Sequence, residues 1–389
     1  MNILIVLSSA MFAQVALLLP VFLSVVAGSV LPSTADASAD ISADVSADAA
    51  LLHRSLDARA VAPTLDFNDS TWIWTGEPTA HLGVRPFRKR IPSSNRKCPT
   101  CATILLSSDD LYTINVNGAE IGSGEGWRTS VVYTVGLNPE GDNVFAIAVN
   151  NTIGLAGPLI ATILVDYTDG TTETIVTDTT WKTLQTVPPS GWTSPSFDDS
   201  RWTAAVAKLP GTQTPWGTPF VLPSAINMTD AHWIWTNETD SNGHDPVGHR
   251  AFRDTITSPY GKAAVCGKVV IGADNNYTLF VNGNNIGHGG NWHSMEAYSI
   301  PNLDPDVNVF AVDGENAPPV SPAGVIAGIL IAYNDGSSET FYTDKTWKTV
   351  TGLPDGFEEV GLDDSAWSDA SEYGTFLNAH WKNVTVPLA

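Results

Sequence analysis

Cysteine is scarce in this chain, with Cys98, Cys101 and Cys266 the only three in 389 residues. Three thiols are too few for a disulfide scaffold, and the odd number leaves at least one free or paired between chains. Cys98-Pro99-Thr100-Cys101 has the spacing of a redox motif. No βαβ pattern surrounds it, so the pair is expected to form a short local disulfide or to stay as buried thiols. Basic residues are also few, 19 Lys and Arg against 41 Asp and Glu, and the net charge of -22 is spread along the chain. Nucleic acid and anionic membranes are therefore poor partners, whereas neutral glycans remain compatible. No segment sustains a helical period over three turns, which excludes helical bundles and βαβ folds. A Gly-x-Ser-x-Gly elbow, a phosphate loop and a His-Glu-x-x-His helix are all missing.

Charge is missing altogether from the first thirty-five residues, where Ile3 to Ala27 forms an apolar run ending in small side chains. The run predicts a secretory signal over 1–27, with cleavage near Ala27. It is long enough to serve instead as an uncleaved anchor, but lacks the Lys or Arg flank of a positively bounded span. Ser38-Ala39-Asp40, Ser42-Ala43-Asp44 and Ser46-Ala47-Asp48 recur every four residues in an acidic tract, so 28–63 is expected to be a disordered linker or propeptide. Asn-x-Ser/Thr sequons at Asn68, Asn150, Asn227, Asn237, Asn276 and Asn383 agree with export to the extracellular space or cell wall.

Downstream the chain repeats itself, at an offset of 161 to 166 residues. Trp72-Ile73-Trp74-Thr75 returns as Trp233-Ile234-Trp235-Thr236, Phe87-Arg88 as Phe252-Arg253, and Cys101 aligns with Cys266. The stretch from Asp109 to Gly118 returns from Asp274 to Gly283, and Asn143-Val144-Phe145-Ala146 as Asn308-Val309-Phe310-Ala311. Thr177-Asp178 with Trp181-Lys182 becomes Thr343-Asp344 with Trp347-Lys348, and Asp198-Asp199-Ser200-x-Trp202 becomes Asp363-Asp364-Ser365-x-Trp367. Two domains, 64–223 and 224–389, follow from this, because the period far exceeds that of a stacked solenoid.

Short runs rich in Val, Ile, Thr and aromatics alternate with Gly, Pro, Asn and Asp, which marks each copy as an all-β sandwich or jelly roll. Asn117-Gly118 and Asn282-Gly283 fit a hairpin turn whose two central residues have positive φ. Ahead of those turns, Tyr112, Ile114 and Val116 share one strand face, as do Tyr277, Leu279 and Val281, and these faces are expected in the core. The runs Val144 to Val149 and Leu159 to Val165 are apolar on both faces, as central strands require.

These motifs resemble the galactose-binding-domain-like jelly-roll modules that stand beside the catalytic domains of α-L-rhamnosidases and β-galactosidase-type glycoside hydrolases. The matching residues are the Trp-Ile-Trp opening, the Phe-Arg pair, the Tyr-Thr strand with its Asn-Gly turn, the Asn-Val-Phe-Ala strand and the Trp-Lys ending, spanning Leu65 to Trp381. The resemblance implies two tandem galactose-binding-like domains and a lectin-like role. The two copies occupy the length after the leader, so a tandem without a catalytic barrel is expected, and catalysis is not. The alternatives are a structural or adhesive extracellular glycoprotein without sugar affinity and, behind that, a glycoside hydrolase or polysaccharide lyase.

Sugar recognition pairs an aromatic face with planar polar groups. Gly122 to Arg128 in the first copy, and Gly287 to His293 in the second, read as glycine-rich loops that let a ligand approach the backbone. They offer Glu125, Trp127 and Arg128, and Asn291, Trp292 and His293; each Trp is a candidate sugar platform or a core plug. Asn150-Asn151-Thr152 and Asp313 to Asn316 read as a second loop, which adds Glu315. His288 and His293 are expected to be solvated rather than metal-bound. Asp109 and Asp274 are candidate calcium ligands, but no dense run of oxygen ligands surrounds them, so backbone hydrogen bonding is expected and no cofactor is. The Asp198-Asp199 and Asp363-Asp364 pairs suggest turn chemistry rather than a glycosidase acid and base.

Overall fold

A computed structural model describes residues 63–77, 81–94, 97–154, 157–213 and 223–388. The expected leader and nearly all of the acidic linker lie outside them. The first copy contains β1 (Thr71–Trp74), β2 (Gly83–Ile91), β3 (Pro99–Ser108), β4 (Leu111–Val116), β5 (Ala119–Glu125), β6 (Val131–Gly136), β7 (Asn143–Asn151), β8 (Leu159–Tyr167), β9 (Thr172–Val176), β10 (Lys182–Thr183), β11 (Thr203–Ala204) and β12 (Val206–Pro210). The second contains β13 (His232–Trp235), β14 (Gly248–Thr257), β15 (Ala264–Asp274), β16 (Asn276–Val281), β17 (Asn284–Gly289), β18 (Glu296–Ile300), β19 (Val307–Asn316), β20 (Gly324–Tyr333), β21 (Ser338–Tyr342), β22 (Lys348–Thr351), β23 (Ser368–Asp369) and β24 (Ser371–Thr375).

Each copy forms two antiparallel sheets. In the first these run β12-β1-β8-β3-β6, with β9 also on β8, and β11-β10-β2-β7-β4-β5. The second copy repeats the order as β18-β15-β20-β13-β24, with β21 on β20, and β17-β16-β19-β14-β22-β23. Alternation drives the packing: Tyr112, Ile114 and Val116 point into one core with Phe145, Ile147 and Ile163, and Tyr277, Leu279 and Val281 into the other with Phe310, Val312 and Ile329. The central strands β8 and β20 are buried along their whole length.

The hairpin turns have the expected geometry, with φ of 52° at Asn117 and 94° at Gly118, and of 50° at Asn282 and 79° at Gly283. Asn117 also accepts the Val144 N–H at 2.8 Å, and Asn282 that of Val309 at 2.8 Å. The turn residue thus ties β4 to the start of β7, which explains why these two motifs travel together in the repeat.

The Phe-Arg and Asp-Asp-Ser-x-Trp motifs also meet. Arg88 is only 1% exposed and pairs with Asp199, which Lys182 reaches at 2.8 Å; in the second copy Arg253 Nε meets Asp364 at 2.9 Å. The preceding acids, Asp198 and Asp363, cap Ser200 and Ser365 N–H groups at 2.9 and 3.0 Å. The pairs serve turn and ion-pair chemistry, so their role is architectural.

The copies diverge at Asp254, which occupies the place of Lys89. Lys89 reaches Thr180, whereas burial pushes the Asp254 carboxyl up to about 6, with Asp344 and Asp364 adding to the rise. A carboxyl whose folded pKa lies above its unfolded value favours folding only while protonated. Its penalty is absent well below pH ~4, grows as the pH rises towards the folded pKa, and is fully present above it, where it amounts to about 2–3 kcal/mol. Asp254→Asn is therefore expected to raise the unfolding free energy by about 2 kcal/mol at pH 7.5, and to leave it nearly unchanged at pH ~3. Chemical denaturation at the two pH values checks this; an equal gain at both would contradict it.

Neither alternative expected for Cys98 and Cys101, a local disulfide or a pair of buried thiols, is what forms. Residues three apart along an extended strand lie ~10 Å apart on opposite faces, beyond the reach of a disulfide. Cys101 on β3 instead bonds Cys266 on β15, across 165 residues, and Cys98 is a free, half-buried thiol. The bond lies where the outer faces of β3 and β15 meet, beside Ala332 and Val265. Close contact there requires Gly136, because a Cβ at that position would come within 3.1 Å of Val265. Lys268 is buried in the same seam, facing Asp166 of the first copy and donating to Ser299 Oγ at 3.2 Å.

Candidate functional site

Three connections converge at one end of each sandwich: β3 to β4, β5 to β6, and β7 to β8 in the first copy, with their counterparts in the second. The Asp110 carbonyl accepts the Gly126 N–H at 2.7 Å, and its carboxylate accepts the Thr152 N–H at 2.8 Å and hydroxyl at 2.6 Å. Burial acts to raise this carboxyl's pKa, and hydrogen bonds from Asp109 and Thr152 outweigh it, so Asp110 stays ionised below the usual range. In the second copy Asn275 takes this place: its N–H donates to the Glu315 carbonyl at 3.0 Å, and its Oδ1 accepts the Ala317 N–H at 2.7 Å. An anchor that is anionic in one copy is neutral in the other.

The first set of candidate residues occupies a single turn. Glu125 ends β5 and is exposed, with its carbonyl accepting the Thr129 hydroxyl at 3.0 Å. Trp127 is half-buried against Phe67, Trp72, Leu105 and Ile160 on the outer sheet face, and the exposed Arg128 guanidinium stands 4.9 Å over its ring. The indole is neither an open platform nor a core plug. With Arg128 it forms a ledge, apolar beneath and rich in donors above.

The second set is arranged likewise. Asn291 caps the His293 N–H at 3.1 Å, and His293 stacks on the half-buried Trp292 with ring centroids 3.5 Å apart. The C-terminal segment pins this turn: the Thr385 N–H donates to the His293 carbonyl at 2.8 Å, and the Met295 N–H to the Thr385 carbonyl at 3.0 Å. Beneath it, Asp274 accepts Trp381 Nε1 at 2.8 Å, and burial raises its pKa. In place of the expected backbone partners, Asp274 thus accepts this indole and the Asn275 amide, whose Nδ2 donates to its Oδ1 at 3.0 Å. Among the described residues no three His, Cys, Asp or Glu side chains gather as a metal cluster.

Two expectations need correction. The glycine-rich runs are mostly strand, within β5 and β17, and their glycines accommodate tyrosines rather than a ligand. A Cβ at Gly122 or Gly124 would lie 2.2 or 2.5 Å from Tyr133 or Tyr112, and Gly287 and Gly289 stand in the same relation to Tyr298 and Tyr277. The second expected loop is likewise the end of β7 and of β19. Asn151 and Asn316, both fully buried there, donate to the carbonyls of His81 and of Asp245 and Ser321, holding neighbouring loops in place. Glu315 is half-buried on β19, and its Oε2 accepts Asn276 Nδ2 at 3.0 Å. That contact links Glu315 to the Asn291 turn, since Asn276 Oδ1 lies 2.4 Å from where a Cβ on Gly290 would be. It also occupies the sequon side chain of Asn276. The sequence signal for the anchors Asp110 and Asn275 was present, in the retained Asp-Asp and Asp-Asn ahead of β4 and β16, but nothing in it paired them with Thr152 or Glu315.

No family model matches the chain. A lectin from Pleurotus ostreatus, solved in complex with GalNAc, is 42% identical, covers 85% of this chain and 98% of its own, and superposes with a TM-score of 0.76. The apo form of the Pleurotus ostreatus lectin gives the same identity and TM-score, over 85% of this chain and 97% of that one. An α-L-rhamnosidase from Streptomyces avermitilis is 34% identical over 179 residues, or 43% of this chain. The match spans 17% of that enzyme's length.

Proposed function

Since the chain belongs to the family of the Pleurotus ostreatus lectin and is a carbohydrate-binding, lectin-like protein, we propose that it is secreted and binds GalNAc-bearing glycans through the loop end of each copy. The observation that carries this reading is the likeness to the GalNAc-bound lectin along nearly all of that lectin's length. Glu125, Trp127 and Arg128 form the first site, and Asn291, Trp292, His293 and Glu315 the second, with no cofactor. The exposed rim of each half-buried indole, with Arg128 or His293 stacked on it, meets the C–H side of a pyranose, and the flanking groups hydrogen-bond its hydroxyls. Arg128 only donates and Glu125 only accepts, whereas His293 and Asn291 can each do both, so the two sites rank sugars differently.

Two sites on one chain raise avidity for a repetitive polymer when both engage. The Asp-Asp motifs are committed to ion pairs and turns, which favours binding over hydrolysis. Titration of the mature chain with GalNAc-terminated glycans is expected to show two saturable sites. Trp127→Ala and Trp292→Ala should each remove one of them, weakening it at least ~10-fold, as expected when an aromatic hot spot is truncated. A folded chain that binds neither GalNAc nor any cell-wall glycan would refute the proposal.

A further inference from the structure

A cavity of ≈ 530 Å³ lies away from the loop ends, in the seam between the copies. Its first-copy wall is the open edge of the sandwich, where Glu120 of β5 meets Tyr133 and Thr134 of β6, the outermost strands of their sheets. Its second-copy wall is the β20–β21 turn, with Asp335, Ser337 and Ser338, and Leu330 behind it. The walls are held in register, because Gly336 packs on β5 so closely that a Cβ there would lie 3.3 Å from Ala119. The Cys101–Cys266 bond locks the two copies together nearby.

An unsatisfied group points to a ligand. Thr134, in the cavity lining, is buried, at 7% exposure, and among the described residues its hydroxyl has no hydrogen-bond partner. A buried hydroxyl without a partner is costly, and native proteins leave few of them. Glu120 is an exposed carboxylate that, among the described residues, meets no hydrogen-bond or ion-pair partner. Asp335 is already engaged by Lys262 at 3.3 Å and by the Ser337 hydroxyl at 2.6 Å. The lining thus offers carboxylate and hydroxyl acceptors, an apolar backing and no cationic side chain of its own. The volume falls within the range of small-ligand sites, roughly 300–1,000 Å³.

We infer that this seam is a third binding site, for a donor-rich polyhydroxyl ligand that carries no negative charge: a neutral or amino sugar held by Glu120, Thr134 and the 335–338 turn. Such a ligand touches both copies, so it stabilises their packing. It is independent of the loop-end sites.

The test uses the mature chain carrying Trp127→Ala and Trp292→Ala, titrated with glucosamine, glucose and glucuronate. One saturable site per chain is expected, with glucosamine at least as tight as glucose, and glucuronate at least ~10-fold weaker through repulsion by the Glu120 carboxylate. Thr134→Val and Glu120→Gln should each weaken it about five- to tenfold, the effect of losing one hydrogen bond, and Ala225→Trp should abolish it by filling the cavity. If the double Trp variant does not fold, the same titration of the otherwise unaltered chain should lose one site on Ala225→Trp while GalNAc binding at the loop ends persists. No binding by the folded double variant, or binding that Ala225→Trp leaves intact, overturns the assignment. Loss of GalNAc binding alone speaks only to the loop ends.

Discussion

Replacing both Cys101 and Cys266 with alanine is expected to lower the unfolding free energy by about 5 kcal/mol, the chain-entropy value for a closed loop of 165 residues. The bond joins equivalent positions of the two copies, so it restrains the unfolded chain over almost a whole repeat. Its loss acts on the seam as well as on each sandwich. Without it, the copies are held by contacts such as the small cluster around Ala332 and Val265, Lys268 facing Asp166, and Gly336 packed on Ala119. A single cooperative calorimetric transition is therefore expected to split into two on reduction or in the double variant, with the free Cys98 thiol unaffected. Superimposable transitions before and after reduction would show that the bond contributes nothing.

The second large effect belongs to the Arg88 and Asp199 pair. Arg88 is buried beneath the rings of Phe197 and Trp202, 5.3 and 6.0 Å from its guanidinium, and donates to the Ser194 carbonyl at 2.9 Å. Asp199→Ala leaves that cation in place without its carboxylate, which is expected to cost about 3–5 kcal/mol. Removing both charges, as Arg88→Met with Asp199→Leu, avoids the unpaired charge and should recover most of the loss. Denaturant titration of the two single variants and the double variant measures this coupling. A double variant as unstable as the sum of its parts would mean that the charges act independently. The same outcome is expected of Asp364→Ala in the second copy, where Arg253 is also 1% exposed.

Much of the architecture was legible in the residues. The repeat, the Asn-Gly turns and the inward faces of β4 and β16 all rest on features that a strand encodes locally: alternation with period two and a positive φ that only certain residues accept. The glycine-rich runs misled for a local reason too. A glycine that admits a ligand and one that admits a tyrosine ring look the same in sequence, and Tyr133 and Tyr298 lie eleven residues beyond Gly122 and Gly287.

The candidate site was legible only in part. Trp127 with Arg128, and Trp292 with His293, are neighbours in sequence, so each pair necessarily shares a turn. Their stacking, and the outer-face clusters against which the indoles rest, depend on Phe67, Trp72 and the C-terminal Trp381, which lie far away along the chain. The anchors Asp110 and Asn275 reach Thr152 and Glu315 only because β4 lies beside β7, and β16 beside β19.

The amino-acid sequence by itself determined that the chain holds two copies of one all-β unit and which faces of their strands are apolar, because periodicity and turn chemistry act between near neighbours. Only the tertiary structure decided that Cys101 joins Cys266, that the expected loops are strand ends filled by tyrosine and asparagine, and that a cavity lies between the copies. Those facts depend on which outer face meets which, and that choice is made by the combined packing of surfaces about 165 residues apart.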